Sequence, residues 1–223
     1  MRALLLLTVA SFAVAYVAAE RAATLQLFTD LKRTKKVLSS GNEDFVSIVQ
    51  SELLLAEEEY VRSSITSESG ILEQLTTSDA LTSGPLCVAF VKQKAEIMMN
   101  LAGISYASCL KRVDDELFQE LSDATNGAIS REQYDQANVL NAFRGENIFV
   151  DPANIRSKLN DRMRNTYKLP VSLSSEAIAD IRKELSKVKD DFVECMKSAR
   201  AGLESTLSTT EQQLKLVCAD KRN

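Results

Sequence analysis

The sequence has no histidine and no tryptophan, and it is poor in glycine and proline. Without histidine, Ser-His-Asp and Cys-His catalytic sites, histidine-based zinc proteases and histidine pH switches are excluded. Seven glycines and three prolines in 223 residues fall far below the average usage of about 12%. Because sandwiches and barrels need a turn about every ten residues, this composition argues against them.

Basic residues are outnumbered by acidic ones, 27 to 31. The formal net charge is −4, so no global basic field attracts nucleic acid, and we expect no nucleic-acid partner. The glycines are isolated, which excludes a glycine-rich phosphate loop, and no calcium-binding loop motif occurs. We therefore expect no cofactor, no metal site and no catalytic residue. A hydrophobic fraction of 45% is nevertheless typical of a chain with a packed core.

Residues 1–19 have the pattern of a secretory signal peptide. Arg2 is followed by an apolar run from Leu4, and the small residues Val17 and Ala19 occupy the −3 and −1 positions of a cleavage site. The run is too short for a membrane span of about 20 residues. We therefore predict cleavage after Ala19, a secreted, extracellular protein and no transmembrane segment.

Apolar residues recur at helical spacing through the remaining chain. The pattern predicts an all-α fold, an elongated antiparallel bundle of long amphipathic helices. We divide it into an N-terminal helical extension over residues 20–84 and a helical domain over residues 85–223, packed together as one unit. The first three predicted helices carry, in order, Leu27, Phe28, Leu31 and Leu38; Val46, Val49, Leu53, Ala56 and Tyr60; and Ile71, Leu72, Leu75 and Leu81.

Pro85 is suited to the first turn of a long helix, where a missing N–H costs nothing. We expect its apolar stripe to face the core, with Met98 and Met99 filling it. The stripe contains Cys87, Val91, Lys94, Met98, Leu101, Ser105, Cys109, Val113 and Leu117, widened by Phe90, Ile97, Ala102, Tyr106, Leu110 and Leu121.

Three further helices are predicted. Ser130-x-x-Gln133 is a capping-box pattern that opens a helix through Phe143, and Asp151-Pro152 opens another. The last segment, 178–217, begins with a coiled-coil-like seam over 178–199, which is also a candidate surface for homo-oligomerisation. The seam consists of Ile178, Ile181, Leu185, Val188, Phe192, Cys195 and Ala199.

The sequence holds four cysteines, Cys87, Cys109, Cys195 and Cys218. An even number in a secreted chain favours disulfides. Cys87 and Cys109 would lie about 33 Å apart on one helix, too far for a bond. Since the two spacings are nearly equal, antiparallel helices would pair Cys87 with Cys218 and Cys109 with Cys195, which we prefer. Parallel helices would pair Cys87 with Cys195 and Cys109 with Cys218.

The segments Cys87-Val-Ala-Phe and Ile104-Ser-Tyr106-Ala-Ser-Cys109-Leu resemble the opening of the insect TsetseEP domain family, and Cys195 and Cys218 are similar to its closing cysteines. The resemblance covers about 85–220, although the chain lacks further cysteines in the middle. It implies a secreted, helical, disulfide-bonded insect protein of a gut or other epithelial secretion. It implies no catalytic residue.

Two basic clusters are candidate contacts to an anionic surface such as phospholipid or an acidic glycan. The alternative is that they are the solvated sides of two helices. We expect the acidic run Glu57-Glu58-Glu59 to be a solvated face as well. The candidate contacts are Lys32, Arg33, Lys35 and Lys36 in the first cluster, and Arg156, Lys158, Arg162 and Arg164, followed by Lys168, in the second.

The leading functional hypothesis is a secreted, non-enzymatic helical binding or structural protein of an extracellular or gut-lumen space. Its partner would be an extracellular protein or an anionic surface. The alternative is a carrier that encloses a small apolar ligand or lipid. The carrier hypothesis is based on an unusually apolar patch made of Phe90, Ile97, Met98, Met99 and Leu101.

Overall fold

A computed structural model describes residue 19 and residues 21–32, 45–73, 85–164 and 174–218. Within these ranges the regular structure is helical and no strand occurs, so the all-α prediction is confirmed. No helix in them combines the length and apolar character needed to cross a membrane. The helices are α1 (residues 21–32), α2 (Phe45–Glu73), α3 (Pro85–Ala124), α4 (Arg131–Ala137), α5 (Pro152–Arg164) and α6 (Ser175–Cys218), with a 3-10 turn at Leu140–Ala142.

The two longest helices begin and end close to the predicted positions. α3 starts at Pro85, and the chain leaves it through Asn126 and Gly127, both with positive φ. α6 contains the whole predicted segment 178–217 in one helix of 44 residues, which is about 66 Å long at 1.5 Å per residue.

The predicted break between the second and third helices is wrong. α2 continues to Glu73 and includes Ile71 and Leu72, while Leu75 and Leu81 lie outside the described residues. Four Ser and Thr side chains between 63 and 70 donate to the carbonyl four residues earlier, as Ser64 does to Tyr60 at 3.0 Å. Their hydroxyls are thereby satisfied within the helix and do not end it.

The capping box at Ser130 and Gln133 is confirmed, but the helix it opens is shorter than predicted. α4 ends at Ala137 because Asn138 adopts an extended conformation. The Asn138 side chain donates to Asp114 at 2.6 Å and accepts from the Leu140 N–H at 2.9 Å. These two side-chain contacts, one to α3 and one to the following turn, end the helix before Phe143.

α3 and α6 are covalently joined. Cys109 and Cys195 form a disulfide with a Cα–Cα distance of 5.8 Å, the inner of the two bridges preferred from the sequence. Further along, the Thr210 hydroxyl contacts the Met98 sulfur at 3.6 Å. Residue numbers therefore rise from 98 to 109 on α3 while they fall from 210 to 195 on α6.

One buried hydrophobic cluster includes residues from the N-terminal helices and from the rest of the chain. Tyr106, at its centre, is fully buried and hydrogen-bonds the Ser64 hydroxyl of α2 at 2.8 Å. α1 and α2 thus share a core with α3 and α6. Members of the cluster include Leu27 and Phe28 of α1; Leu53, Leu54 and Val61 of α2; Val91, Met98 and Met99 of α3; and Val188, Phe192 and Met196 of α6.

The segment between α4 and α5 packs on α3 at Gly103. The Asn147 side-chain amide donates to the Asn100 carbonyl at 3.0 Å and accepts from the Phe149 N–H at 3.0 Å. A Cβ at position 103 would lie 1.9 Å from the Asn147 Oδ1. Only glycine permits this approach. This explains why α3 contains Gly103, although glycine destabilises a helix by about 1 kcal/mol relative to alanine.

α1 is held by a buried ion pair at its start. Arg21 donates to both carboxylate oxygens of Glu68, at 2.6 and 2.9 Å, and to the Phe149 carbonyl at 2.6 Å. Thr24 donates to the Ile148 carbonyl at 3.1 Å. The same short segment therefore packs against α1 on one side and α3 on the other.

Candidate functional site

The described members of the predicted basic clusters mostly face acidic partners within the chain. Ion pairs whose basic side chain is exposed contribute little to stability, but they neutralise the charge that an external anion would use. Residues 33, 35, 36 and 168 lie outside the described residues, and so does the side chain at 164. Three pairs form: Lys32 with Glu58 at 2.6 Å, Arg156 with Asp30 at 2.8 Å, and Lys158 with Glu146 at 2.5 Å.

Arg162 has a different role from its neighbours in the second cluster. Its guanidinium donates to the backbone carbonyls of Asp135 and Gln136 near the end of α4. A cation there satisfies carbonyls that the helix leaves unpaired. Arg162 thus joins α5 to α4.

A groove of about 950 Å³ lies beside α4 and α5. Charges of both signs line it, so it has no strong preference for an anion or a cation. Its charged lining residues are Arg131, Arg144, Lys158 and Arg162, with Glu132, Asp135 and Asp161.

Asp114 on α3 organises the polar network behind this groove. It is only 3% exposed and accepts from the Tyr134 hydroxyl at 2.8 Å and the Asn138 amide at 2.6 Å. Arg131 and Arg144 also donate to it, at 2.9 and 3.4 Å. Burial raises the pKa of Asp114 against the opposing effect of these hydrogen bonds and positive charges. The network is a structural clamp between α3 and α4.

Arg131 is the main cation of this clamp. Its guanidinium donates to Asp114, to Asp115 at 2.8 Å and to Asp135 at 2.9 Å, and it lies over the Tyr134 ring at 5.4 Å. Because three carboxylates already accept from Arg131 and neutralise its charge, Arg131 is a poor anchor for an anionic ligand.

The expectation of a solvated acidic run is wrong for Glu57 and Glu58. Glu57 is 1% exposed, and its Oε2 has no hydrogen-bond partner among the described residues. Burial raises the pKa of Glu57 to about 8, so the side chain is mostly neutral at pH 7. Glu58 is also buried, but hydrogen bonds from Lys32 and Arg62 outweigh the effect of burial and lower its pKa.

The seam over 178–199 is used within the chain. Ile181, Leu185, Val188 and Phe192 are buried, at 9% exposure or less, and Cys195 is in the disulfide. A second copy could reach these side chains only by displacing the chain's own core.

The residues behind the carrier hypothesis divide between two faces of α3. Met98 and Met99 are buried, which confirms that they fill the core, whereas Ile97 and Leu101 are exposed and Phe90 is half-buried. They do not line one cavity. A groove of about 370 Å³ between α2 and α6 is the more suitable place for a small ligand, since Leu53, Leu185 and Val188 are among its lining residues.

The exposed side of α3 carries a row of aliphatic residues that we call the outer stripe. It consists of Leu86, Ile97, Leu101 and Ile104, which are 75%, 44%, 54% and 56% exposed. Their spacings of 11, 4 and 3 residues place them on one side of the helix. They are four of the five exposed large hydrophobic residues described, the fifth being Val150.

The outer stripe corrects the prediction that Ile97 and Leu101 face the core. α2 and α6 pack on one side of α3, and the predicted apolar stripe is wider than the arc that they cover. Ile104 is a functional candidate that the periodicity did not single out. The Asp114 network was missed as well, because a contact across 17 residues, as between Asp114 and Arg131, leaves no local pattern.

No protein-family model, curated protein or solved structure matches the chain. The resemblance to the TsetseEP domain therefore stays a prediction from the cysteine and tyrosine spacing. Within the ranges that the structure describes, no group of three acidic or cysteine side chains is placed to hold a metal ion.

We predict that Asp114→Ala lowers the free energy of unfolding by about 3–5 kcal/mol, because it leaves buried polar partners and part of the Arg131 charge uncompensated. Asp115→Ala removes a carboxylate that is half exposed and should cost less than about 1 kcal/mol. Urea unfolding followed by circular dichroism measures both. Equal losses in the two variants would show that Asp114 is not the centre of the clamp.

We also predict that Glu57 makes the protein less stable as pH rises. Its folded pKa of about 8 lies above the ordinary value of 4.5, so the folded state keeps a proton that the unfolded state has lost. Stability should fall between those pH values by about 1.4 kcal/mol per pH unit.

Urea unfolding over this pH range should show that Glu57→Gln removes the loss. Glu58→Gln is the matched control: its folded pKa is lowered, so its contribution is lost only as pH falls through the acidic range. A wild-type pH dependence that survives in Glu57→Gln would contradict the assignment.

Proposed function

We propose that this chain is a secreted, non-enzymatic helical protein that acts by binding through its exterior. The observation that carries this proposal is the outer stripe. Soluble proteins scatter exposed aliphatic side chains, whereas several in line on one face mark an interaction site. The core beneath them is well packed, since Met98, Met99 and Tyr106 are all at most 2% exposed.

Two buried carboxylates, Asp114 and Glu68, support a non-enzymatic role. Asp114 accepts hydrogen bonds from Tyr134 and Asn138, and Glu68 forms an ion pair with Arg21. Each of these buried carboxylates therefore joins one helix to another part of the fold. Catalytic acids instead need access to a substrate in a cleft.

Secretion is supported by two features. The Cys109–Cys195 disulfide suits an oxidising compartment, and residues 1–19 have the pattern of a signal peptide. The buried ion pair of Arg21 with Glu68 lies directly after the predicted cleavage position. The TsetseEP resemblance would add an insect epithelial secretion such as that of the gut lumen.

We infer an elongated antiparallel bundle with a second disulfide between Cys87 and Cys218. Starting from Cys109–Cys195, a step of 22 residues back along α3 reaches Cys87, and a step of 23 residues forward along α6 reaches Cys218. Cys87 is fully buried, and no described cysteine is a free thiol. The second bridge would fix the other end of the α3–α6 pair.

Native mass spectrometry of the full-length gene product secreted from an insect-cell host tests this proposal. We expect the mass of the chain after removal of residues 1–19, reduced by four hydrogens for two disulfides, with no additional ligand.

Retention of residues 1–19 would contradict secretion by this route. A mass only two hydrogens light would contradict the second bridge. An adduct that is lost on denaturation would favour the carrier, and Leu53→Ala in the groove between α2 and α6 should then weaken it.

A further inference from the structure

We propose that the outer stripe docks on an anionic lipid bilayer, an inference that rests on binding through the exterior. The stripe extends from Leu86 to Ile104, a distance of about 27 Å along α3. It contains aliphatic side chains only, on the solvent-exposed side of one helix. An amphipathic helix that lies in a membrane interface presents an apolar face of this kind.

Lysines on the same side of α3 supply the charge complementarity. Lys94 precedes Leu101 by seven residues and Lys111 follows Ile104 by seven, so both lie along the stripe. Lys94 also lies over the ring of Phe90 at 5.6 Å. The chain as a whole is acidic, so this local positive charge favours an anionic surface.

Acidic residues on this side of α3 are few, and Asp115, which lies eleven residues after Ile104 and is half exposed, is paired with Arg131. Glu96 is exposed at the margin of the stripe, while the other polar positions between the two lysines are uncharged. They include Asn100, Ser105 and Ser108. The apolar side chains therefore approach an anionic headgroup layer with little repulsion.

The hydroxyl beside the stripe adds little desolvation cost. Ser105 donates to the Leu101 carbonyl at 2.9 Å. Because this donor is satisfied within its own helix, removal of water from the surface does not leave it unpaired.

The same charges argue against a second copy of the chain on this face. Two copies would bring Lys94 and Lys111 of each molecule towards lysines of the other, which is unfavourable. The stripe also lacks the aromatic anchors that dominate many protein interfaces. An anionic bilayer satisfies both the aliphatic residues and the lysines.

Vesicle co-sedimentation of the full, oxidised protein tests the proposal. The vesicles contain phosphatidylserine and phosphatidylcholine in equal parts, or phosphatidylcholine alone. We expect binding to the mixed vesicles and much weaker binding to phosphatidylcholine. The triple variant Ile97→Gln, Leu101→Gln, Ile104→Gln should bind about tenfold or more weakly, whereas Val150→Gln, the matched exposed aliphatic, should bind like the wild type.

Replacement of the two lysines tests the contribution of positive charge to vesicle binding. Lys94→Gln with Lys111→Gln should weaken binding about fivefold per lysine, and Lys183→Gln with Lys197→Gln on the exposed side of α6 should not. Circular dichroism of each variant checks that the fold is retained.

The proposal is overturned if the wild type sediments with neither vesicle, or if the triple variant binds as the wild type does. It is also overturned if size-exclusion chromatography shows a dimer that the triple variant dissociates, since the stripe would then be a protein interface. Each of these results leaves the mass-spectrometric test of secretion, disulfides and bound ligand unaffected, so the two proposals can fail separately.

Discussion

The fold depends on the packing of α3 against α6, whose register is fixed by the Cys109–Cys195 disulfide. The seam of α6 fills one side of α3, with Ile181 and Leu185 packed in the same cluster as Leu117. Because most of the seam's apolar side chains are buried inside the chain, they are not exposed to a second copy. Much of the opposite side of α3 is exposed to solvent, and this is where the outer stripe lies. One packing choice therefore determines both the core and the available binding surface.

Features with a local physical cause could be predicted from the sequence. The capping box at Ser130 and Gln133 satisfies backbone groups within four residues, and Pro85 suits a helix start. The regular spacing of three and four residues between apolar positions predicted α6, because the period and the length of such a repeat can both be read from a single segment of sequence. The nearly equal spacing of the cysteines along two helices left two pairings, and the preferred antiparallel one contains Cys109–Cys195.

Features that need a neighbouring element could not be predicted. Periodicity places Ile97 on an apolar stripe but does not say how wide an arc α2 and α6 cover. Charge composition predicts a solvated Glu57, yet its position on the inner side of α2 buries it as a neutral acid. Asp114 has an ordinary sequence context, and its role arises only when Tyr134 and Asn138 fold back onto α3. The ion pair of Arg156 could not be predicted either, because its partner Asp30 lies on α1.

Native-state hydrogen exchange tests the central role of the α3–α6 pair most directly. The slowest amides should lie along the paired parts of α3 and α6. The variant Cys109→Ser, Cys195→Ser should lower their opening free energy by about 4–5 kcal/mol, the loss that the chain-entropy relation gives for a loop of 86 residues. Slowest exchange in α1 or α5, or unchanged protection in the double variant, would contradict the account.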